Sequence, residues 1–186
     1  MRTNQKTFTL VEGALCVALA VALTYLKIPL GAQGGSFDFA MIPLIIFAVD
    51  RGGLKWGTLS GVVFGLLHFL FTSGFALNWQ SIILDYIVAF GVIGLAGLFR
   101  SEKSGIKAYL FGAIIACLAR FLVHFVSGVT IYLDYFEPVY QGFNTPAPWI
   151  YSAVYNGFYM LPNTIAAVIL CPVIGAALQR TKTKNK

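Results

Sequence analysis

The chain has 186 residues, of which 58% are hydrophobic and only 11% are charged. Soluble domains carry roughly 25% charged residues, and a domain of this size needs them to cover its water-exposed surface. The composition therefore argues against a soluble enzyme and against a nucleic-acid-binding protein. It predicts an all-α integral membrane protein that forms a single membrane domain, residues 1–186.

Turn signals divide the apolar sequence into six segments that can form transmembrane helices, each of which needs about 20 mostly apolar residues. The predicted helices cover residues 8–26, 38–50, 54–72, 79–99, 106–130 and 150–178. The second is short, and the last contains Pro162 and Pro172, which predict kinks or a break. Residues 131–149 are predicted to form a long outer loop.

Basic residues predict the orientation of these helices. Eleven Lys and Arg residues fall on one side of the predicted bundle, whereas Lys27 alone falls on the other side and Arg120 lies within a helix. By the positive-inside rule, both termini are predicted to be cytoplasmic. The first apolar segment follows Arg2 and Lys6 as in a secretory signal, but we expect it to be retained because the rest of the chain also spans the membrane.

Few ionisable side chains fall within the predicted helices, where each costs roughly 2.5–3.5 kcal/mol at the bilayer centre and commonly marks a functional site. They are Glu12, His68, Asp85, Arg120 and His124. All but Glu12 are predicted to lie in the outer part of the membrane. For His68, a hydrogen-bonded packing role is the simpler interpretation, and the helix dipole and snorkelling explain Glu12 without a function.

Arg120 and His124 are four residues apart and share one face of the fifth helix, which Gly128 continues. Asp85, with Tyr86 beside it, is a candidate counter-charge on the fourth helix. This cluster predicts a binding site for a small polar ligand. The alternative is that Arg120 and Asp85 form a buried ion pair that only joins two helices.

Two further sequence features suggest interactions. The outer loop 131–149 is rich in Tyr and Phe and lacks Lys and Arg, which suits a lid over a cationic or heteroaromatic ligand; interfacial anchoring explains Trp149 equally well. In the first helix, Ala14, Ala18 and Ala22 recur every fourth residue. Such a stripe of small side chains allows another helix to pack closely, and we predict it to be a partner-docking surface.

Four ordered segments together resemble the thiamine-binding substrate-capture subunit, or S component, of the energy-coupling-factor vitamin transporters. They read Gly65-Leu-Leu-His68-Phe69, Leu84-Asp85-Tyr86-Ile-Val-Ala-Phe90, His124-Phe-Val-Ser-Gly128 and Tyr151-Ser-Ala-Val-Tyr-Asn156-Gly-Phe-Tyr-Met-Leu-Pro162. The last two are the most specific. The resemblance covers nearly the whole chain, including the six helices, the cytoplasmic termini and the alanine stripe.

The resemblance implies a pocket near the outer face that takes up thiamine, with no catalytic residue, metal or cofactor. By this resemblance, Asp85 pairs with the aminopyrimidine, helped by His124, Tyr151 and Asn156. Phe64 and Tyr132 stack on the ligand rings. Tyr86 and Gly128 line the same cavity. Arg120 joins this predicted ligand-binding set because it shares the helix face of His124.

The resemblance also implies a place in the bacterial plasma membrane and two kinds of partner. These are a membrane coupling subunit, contacted through the alanine stripe, and two cytoplasmic ATPase subunits. The chain has no GxxxxGK[ST] motif of its own, so the energy for transport is expected to come from these partners.

Several alternatives stay open. The chain has Asp85 where the family typically has Glu, and Phe64 and Tyr132 where it often has Trp, so the ligand could instead be a pyrimidine or thiazole precursor or another vitamin. A stand-alone proton-coupled transporter would use Asp85 or His124 as the titrating group. An intramembrane enzyme would use His68, His124 and Asp85, although HExxH and GxSxG motifs are absent from the sequence. A purely structural membrane subunit would make no use of the polar cluster.

Overall fold

The computed structural model describes residues 4–30, 34–72, 74–100 and 105–184, with side chains as far as Thr181. Its helices are α1 (Gln5–Thr24), α2 (Met41–Phe47), α3 (Gly53–Phe71), α4 (Trp79–Phe99), α5 (Ile106–Thr130) and α6 (Pro148–Lys184). Two short antiparallel hairpins pair β1 (Ile28–Pro29) with β2 (Ser36–Phe37), and β3 (Val139–Tyr140) with β4 (Phe143–Asn144).

Five stretches of the described chain are long and apolar enough to cross a membrane. They are Gln5–Thr24, Met41–Phe71, Trp79–Phe99, Ile106–Thr130 and Pro148–Thr181. Large apolar side chains cover the outside of the bundle; Leu15, Leu122 and Val173, for example, are all at least 60% exposed. Apolar residues on an outer surface need a hydrocarbon environment, and the predicted all-α membrane class is confirmed.

The chain reverses direction between α2 and α3. A five-residue π-helical turn, Ala48–Gly52, follows α2, and Gly53 then adopts φ +60° and ψ −168°, a conformation that favours glycine. Asp38, three residues before the start of α2, and His68, near the end of α3, line the same cavity. The two helices are therefore antiparallel, although the sequence between them contains no long loop.

Glycines on α3 bring it into direct backbone contact with α4. A Cβ atom on Gly61 would overlap the carbonyl oxygen of Phe90, and one on Gly65 would overlap the carbonyl oxygen of Tyr86. Only glycine allows two helix backbones to approach this closely. The contact places the part of α4 that carries Asp85 beside the end of α3.

Helix α4 has the bounds predicted for it but is not a regular α-helix. It begins as an α-helical turn at Trp79–Ile82, widens to a π-helix at Ile83–Val88, and ends as a 3₁₀-helix at Val92–Phe99. Wide π-helical turns inside helices occur frequently at functional sites. Asp85 lies within this one.

Helix α6 is longer and more continuous than predicted. It runs without a break from Pro148 to Lys184 through Pro162 and Pro172, so of the predicted kinks or break, the break does not occur. Prolines are tolerated in membrane helices because neighbouring side chains satisfy the backbone carbonyls that they leave without a donor.

The predicted outer loop also has more structure than expected. It contains a 3₁₀ turn at Leu133–Tyr135 and the β3–β4 hairpin, whose tight turn places Gln141 and Gly142 at positive φ. Residues Arg2, Lys103 and Lys186, which contributed to the predicted orientation, lie outside the described residues, as do parts of the predicted turns at 31–36 and 100–105.

A cluster of paired polar side chains joins three elements at the end of the bundle that carries the C-terminus of α6. Asp50, in the π-helical turn after α2, accepts a hydrogen bond from Gln179 of α6 (2.9 Å). Gln179 also donates to the hydroxyl of Tyr109 on α5 (3.2 Å), and this hydroxyl lies 3.5 Å from Asp50. The cluster ties the turn after α2 to α5 and α6.

Candidate ligand-binding site

A cavity of about 90 Å³ lies at the opposite end of the bundle, where α3 and α5 end and α4 and α6 begin. Its walls come from α3, α4, α5, α6 and the segments that connect the helices. The lining residues are Gly34, Gly35, Ser36, Asp38, His68, Phe75, Asp85, Tyr86, Phe90, Arg120, His124, Ser127, Gly128, Tyr132, Tyr135, Tyr151, Ser152, Tyr155, Asn156 and Tyr159.

The structure brings together eight of the nine residues that the sequence placed at a ligand site. These are Asp85, Tyr86, Arg120, His124, Gly128, Tyr132, Tyr151 and Asn156. Phe64 is the exception, because it lies one turn deeper in α3 than His68. Its side chain is fully buried and packs edge-on against Phe90, with the ring centroids 4.7 Å apart. Phe90 and His68, both in contact with the Phe64 ring, line the cavity, whereas Phe64 does not.

Asp85 and His124 form the polar pair at the centre of the site. The Nδ1 atom of His124 lies 3.2 Å from Oδ1 of Asp85, and the two side chains are only 12% and 11% exposed. When the carboxylate is ionised, Nδ1 must carry the proton that this hydrogen bond needs, so in the neutral imidazole Nε2 is an acceptor. The pair therefore offers acceptor atoms to a ligand that carries N–H donors.

The π-helical turn explains how two consecutive residues of α4 both reach the cavity. Successive side chains of a regular α-helix point about 100° apart, whereas the wider turn brings Asp85 and Tyr86 onto adjoining parts of one wall. Tyr86 is held in place because its hydroxyl donates to the carbonyl of Phe75 (2.9 Å).

Arg120 does not pair with Asp85. The ion pairs among the described residues are Asp85 with His124 and Glu12 with Arg51. Arg120 instead places its guanidinium 4.4 Å from the centroid of the Phe90 ring and directs Nη1 toward the sulfur of Met41 at 2.9 Å. The alternative in which an Arg120–Asp85 pair joins two helices is therefore wrong.

Asn156 lines the cavity and also braces its wall. Its Nδ2 donates to the carbonyl of Ser152 (2.9 Å) and lies 3.3 Å from the carbonyl of His124, and its Oδ1 accepts from the hydroxyl of Tyr159 (2.9 Å). Next to it, a Cβ atom on Gly128 would overlap the hydroxyl of Ser152. The close approach of α5 and α6 at this point therefore depends on glycine.

Four buried polar atoms in the cavity wall have no hydrogen-bond partner within the described part of the chain. They are His68 Nδ1, Arg120 Nε, His124 Nε2 and Ser127 Oγ. Buried polar atoms in native proteins are nearly always hydrogen-bonded. One of these atoms lies on α3 and three lie on α5, and all four residues line the same cavity. This concentration is expected of a site that binds a polar ligand.

Aromatic side chains from two connecting segments close the outer end of the cavity. Phe75 stacks on Tyr132 with centroids 6.1 Å apart and meets Tyr135 edge-on at 6.0 Å. Burial, reinforced by the nearby charge of Asp85, raises the pKa of Tyr132 above its ordinary value. Its phenol therefore stays neutral across the physiological pH range.

Several lining residues were missed by the sequence prediction. Tyr155 and Tyr159 could have been found, because they continue from Tyr151 at a spacing of four along α6 and so share its face. His68, interpreted as a packing residue, lies in the wall. Asp38 gave no signal, because a single acid near the start of a helix usually acts only as a cap.

The alanine stripe of α1 faces outward. Ala14, Ala18 and Ala22 are exposed, whereas Gly13 and Val17 turn toward the bundle and are buried. Ala14 and Ala18 also line an apolar groove of about 310 Å³ between α1 and α3. Glu12, which was excluded from the predicted site, forms its ion pair with Arg51 and lies away from the cavity.

The chain can be placed by its similarity to known proteins. A family model for the thiamine transporter protein (Thia_YuaJ) matches residues 10–183. The chain belongs to this family. It is 34% identical over 187 residues to the thiamine transporter ThiT of Bacillus subtilis, covering 92% of each protein. It is 30% identical over 191 residues to the thiamine transporter ThiT of Lacticaseibacillus paracasei, covering 94% of this chain and 90% of the relative.

The fold agrees with this assignment. A solved structure of ThiT from Listeria monocytogenes superposes with a TM-score of 0.78 at 28% sequence identity, covering 97% of this chain and 98% of that one. Members of the thiamine transporter family are transporters and not enzymes, so the intramembrane-enzyme alternative is wrong. The chain is a multi-pass protein of the bacterial cell membrane. Across the described residues, no three His, Cys, Asp or Glu side chains cluster as a metal site would require.

Proposed function

We propose that this protein is the substrate-capture subunit of an energy-coupling-factor transporter and that it binds thiamine in the cavity. The observation that carries the proposal is the Asp85–His124 pair at 3.2 Å, set in an aromatic cavity whose wall contains buried polar atoms in need of partners. The relatives named as thiamine transporters support this choice of ligand.

The chemistry of the cavity suits both halves of thiamine. The aminopyrimidine carries an amino group with two N–H donors, and Asp85 and His124 Nε2 offer acceptors. The thiazolium ring is flat and positively charged, and the surrounding Tyr and Phe rings offer faces for stacking and cation–π contacts. Tyr86, Tyr132 and Tyr151 line the cavity, and we expect their rings to make these contacts.

The aromatic cluster at the outer end is proposed to act as a lid. Ligand pockets usually have volumes of about 300–1,000 Å³, whereas this cavity measures about 90 Å³. A ligand with two rings therefore requires the walls to move apart. Phe75, Tyr132 and Tyr135 lie on connecting segments and contact one another chiefly through their rings, so they can separate without breaking helix hydrogen bonds.

Energy for transport is proposed to come from a membrane coupling subunit with two cytoplasmic ATPases. In this arrangement the chain crosses the membrane six times, with α2 and α3 as separate crossings joined at Gly53, and both termini are cytoplasmic. The coupling subunit docks on the outward-facing Ala14, Ala18 and Ala22, which present a flat surface to a partner helix.

A binding titration of the purified protein tests the proposed ligand. Quenching of Trp and Tyr fluorescence should saturate with thiamine at a lower concentration than with its separate pyrimidine and thiazole fragments or with riboflavin. If a fragment or riboflavin binds more tightly than thiamine, that compound and not thiamine is the ligand. Uptake by this chain alone in vesicles, driven by a pH gradient, would favour the stand-alone proton-coupled transporter.

Docking is tested by Ala18→Leu. The added bulk should leave thiamine binding unchanged and abolish uptake in cells that contain the coupling subunits, because the partner helix can no longer approach. Ala177→Leu, at an exposed alanine on α6, is the matched control and should transport normally. Loss of thiamine binding in the Ala18→Leu protein would contradict a pure docking role.

A further inference from the structure

We infer that the apolar groove between α1 and α3 binds one anionic phospholipid of the membrane, with an acyl chain in the groove and the headgroup beside Lys55. The groove lies outside the ligand cavity, and the two have no lining residue in common. The inference is independent of the proposed function: a partner that docks on α1 would displace the lipid but is not needed for the lipid to bind.

The first argument is the chemistry of the groove. Its volume is about 310 Å³, and it is lined chiefly by apolar side chains of α1 and α3, such as Val17 and Val63. Apart from Trp56, the polar side chains in its wall are Thr9 and Ser60, and both are buried. The hydroxyl of Thr9 already donates to a carbonyl of its own helix (3.0 Å). A polar ligand would find few partners there, whereas a hydrocarbon chain gains dispersion contacts by filling the space.

The second argument is the length of the groove and its opening to the outside of the bundle. Along α3 its wall runs from Trp56 to Leu67, which at 1.5 Å per residue is about 16 Å. This is roughly half of the hydrocarbon core of about 30 Å, so the groove matches one leaflet and not the whole membrane. Leu59 and Val63 in its wall are exposed. An acyl chain of the surrounding leaflet can therefore enter it from the side.

The third argument is the positive charge at the end of the groove where Trp56 lies. The ammonium of Lys55 lies 5.5 Å from the centroid of the Trp56 ring, and Trp side chains are enriched at the membrane–water interface. Lys6 lies about one turn before Thr9, which also lines this end. Two basic side chains thus stand where the headgroup of a lipid in the groove would lie.

The neighbouring charges leave Lys55 available to this headgroup. Arg51 forms its ion pair with Glu12, and Asp50 is bonded to Gln179. No carboxylate in the described part of the chain lies within ion-pair distance of Lys55. Basic groups beside a groove between membrane helices commonly bind anionic lipid headgroups. The end of the groove therefore favours an anionic headgroup over a zwitterionic one.

Quenching of Trp56 fluorescence tests the site. The chain has three Trp residues, so Trp79→Phe combined with Trp149→Phe leaves Trp56 as the one fluorescent indole, and bromine on an acyl chain quenches an indole that it contacts. The probes are phosphatidylglycerol and phosphatidylcholine with the same brominated chains, each mixed into vesicles of unbrominated phosphatidylcholine. Brominated phosphatidylglycerol should reach half-maximal quenching at about fivefold lower mole fraction, equivalent to about 1 kcal/mol for one ammonium near the membrane.

Two pairs of variants separate the charge from the groove. Lys55→Gln should remove the preference for phosphatidylglycerol, whereas Lys107→Gln, at an exposed lysine at the start of α5, is the matched control and should keep it. Ala14→Leu should also remove the preference, because the added side chain takes the space of the acyl chain. Ala22→Leu lies in the same alanine stripe but outside the groove lining and should keep it.

Each contrary outcome overturns the inference. Equal quenching by both lipids before Lys55 or Ala14 is changed would show that Trp56 meets only the general lipid surroundings. A preference that survives in Lys55→Gln would show that this ammonium does not bind the headgroup, and one that survives in Ala14→Leu would show that the acyl chain does not enter the groove. The measurements need neither thiamine nor a partner subunit, so the proposed function stands or falls separately.

Discussion

Two polar clusters lie at opposite ends of the same helices, and they differ in how their hydrogen bonds are used. At one end, Asp50, Gln179 and Tyr109 bond to one another across three elements. At the other end, the cavity contains the Asp85–His124 pair beside four buried polar atoms without partners in the described chain. Both clusters place costly polar groups in a membrane protein, but only the first satisfies them internally.

The difference indicates different roles. A buried polar network whose members are bonded to each other stabilises one arrangement of the helices, because breaking it leaves groups without partners. A cluster with unsatisfied members costs free energy until something else supplies the missing bonds. We therefore expect substitutions in the first cluster to change stability, and substitutions in the cavity to change ligand binding.

The largest expected effect is that of Asp85→Ala on binding. Removing the carboxylate takes away the partner of His124 and a ligand acceptor, and we expect thiamine affinity to fall about 100-fold, equivalent to about 2.7 kcal/mol. Because His124 Nδ1 also loses its hydrogen-bond partner, the melting temperature in detergent should fall, but by no more than it falls in Gln179→Leu. A fall in melting temperature as large as that of a core substitution would mean that the two clusters have the same role.

The reverse pattern is expected for Gln179→Leu. It leaves Asp50 and Tyr109 without a shared partner, which should cost about 1–3 kcal/mol of stability and lower the melting temperature by several degrees. Thiamine affinity of the folded protein should be unchanged. Thr181→Val, on the exposed side of the same helix, should change neither quantity.

Asn156→Ala tests a residue with features of both clusters, since it lines the cavity and is bonded within the wall. We expect affinity to fall about tenfold, or about 1.4 kcal/mol, because the hydroxyl of Tyr159 loses its acceptor and the wall loses its brace. Titration of the purified variant measures this. An unchanged affinity would show that Asn156 does not contribute to thiamine binding and would leave Asp85 and His124 as the residues that recognise the ligand.

The smallest effect is expected for Tyr132→Phe. The ring supplies the contact with the ligand, so thiamine affinity should change by less than about threefold, whereas Tyr132→Ala should weaken it more. Because burial raises the pKa of Tyr132, its phenol stays protonated below its ordinary pKa. Between pH 7 and pH 9, the unmodified protein and Tyr132→Phe should therefore show the same change in thiamine affinity.

The residues of the cavity could be predicted from the sequence better than those of the Asp50 cluster, and the reason is physical. Asp85, Arg120 and His124 were identified because charged or titratable groups in an apolar segment are rare and costly. Their actual pairing was not identified. Whether Arg120 or His124 meets Asp85 depends on the rotation of α5 against α4, and the π-helical turn alters that rotation without a clear trace in the sequence.

Asp50 and Gln179 show the opposite limitation. Both fall at the ends of predicted helices, where polar residues are ordinary, so nothing in the sequence distinguished them. Phe64 was assigned to the ligand because of the resemblance alone. In the structure it packs against Phe90, which lines the cavity in its place.

The sequence by itself determined that this is an apolar helical membrane protein, where most of its helices begin and end, and which few ionisable groups had to be accounted for. These properties depend on hydrophobicity and chain length, which are local and additive. The tertiary structure decided which of those groups meet and that Asp38 lines the same cavity. It also decided that the side chains of one polar cluster bond to each other, whereas the other cluster contains polar atoms without partners in the described chain. Such contacts depend on helix rotation and on backbone approach at single glycines, and these are fixed only when all the helices pack together.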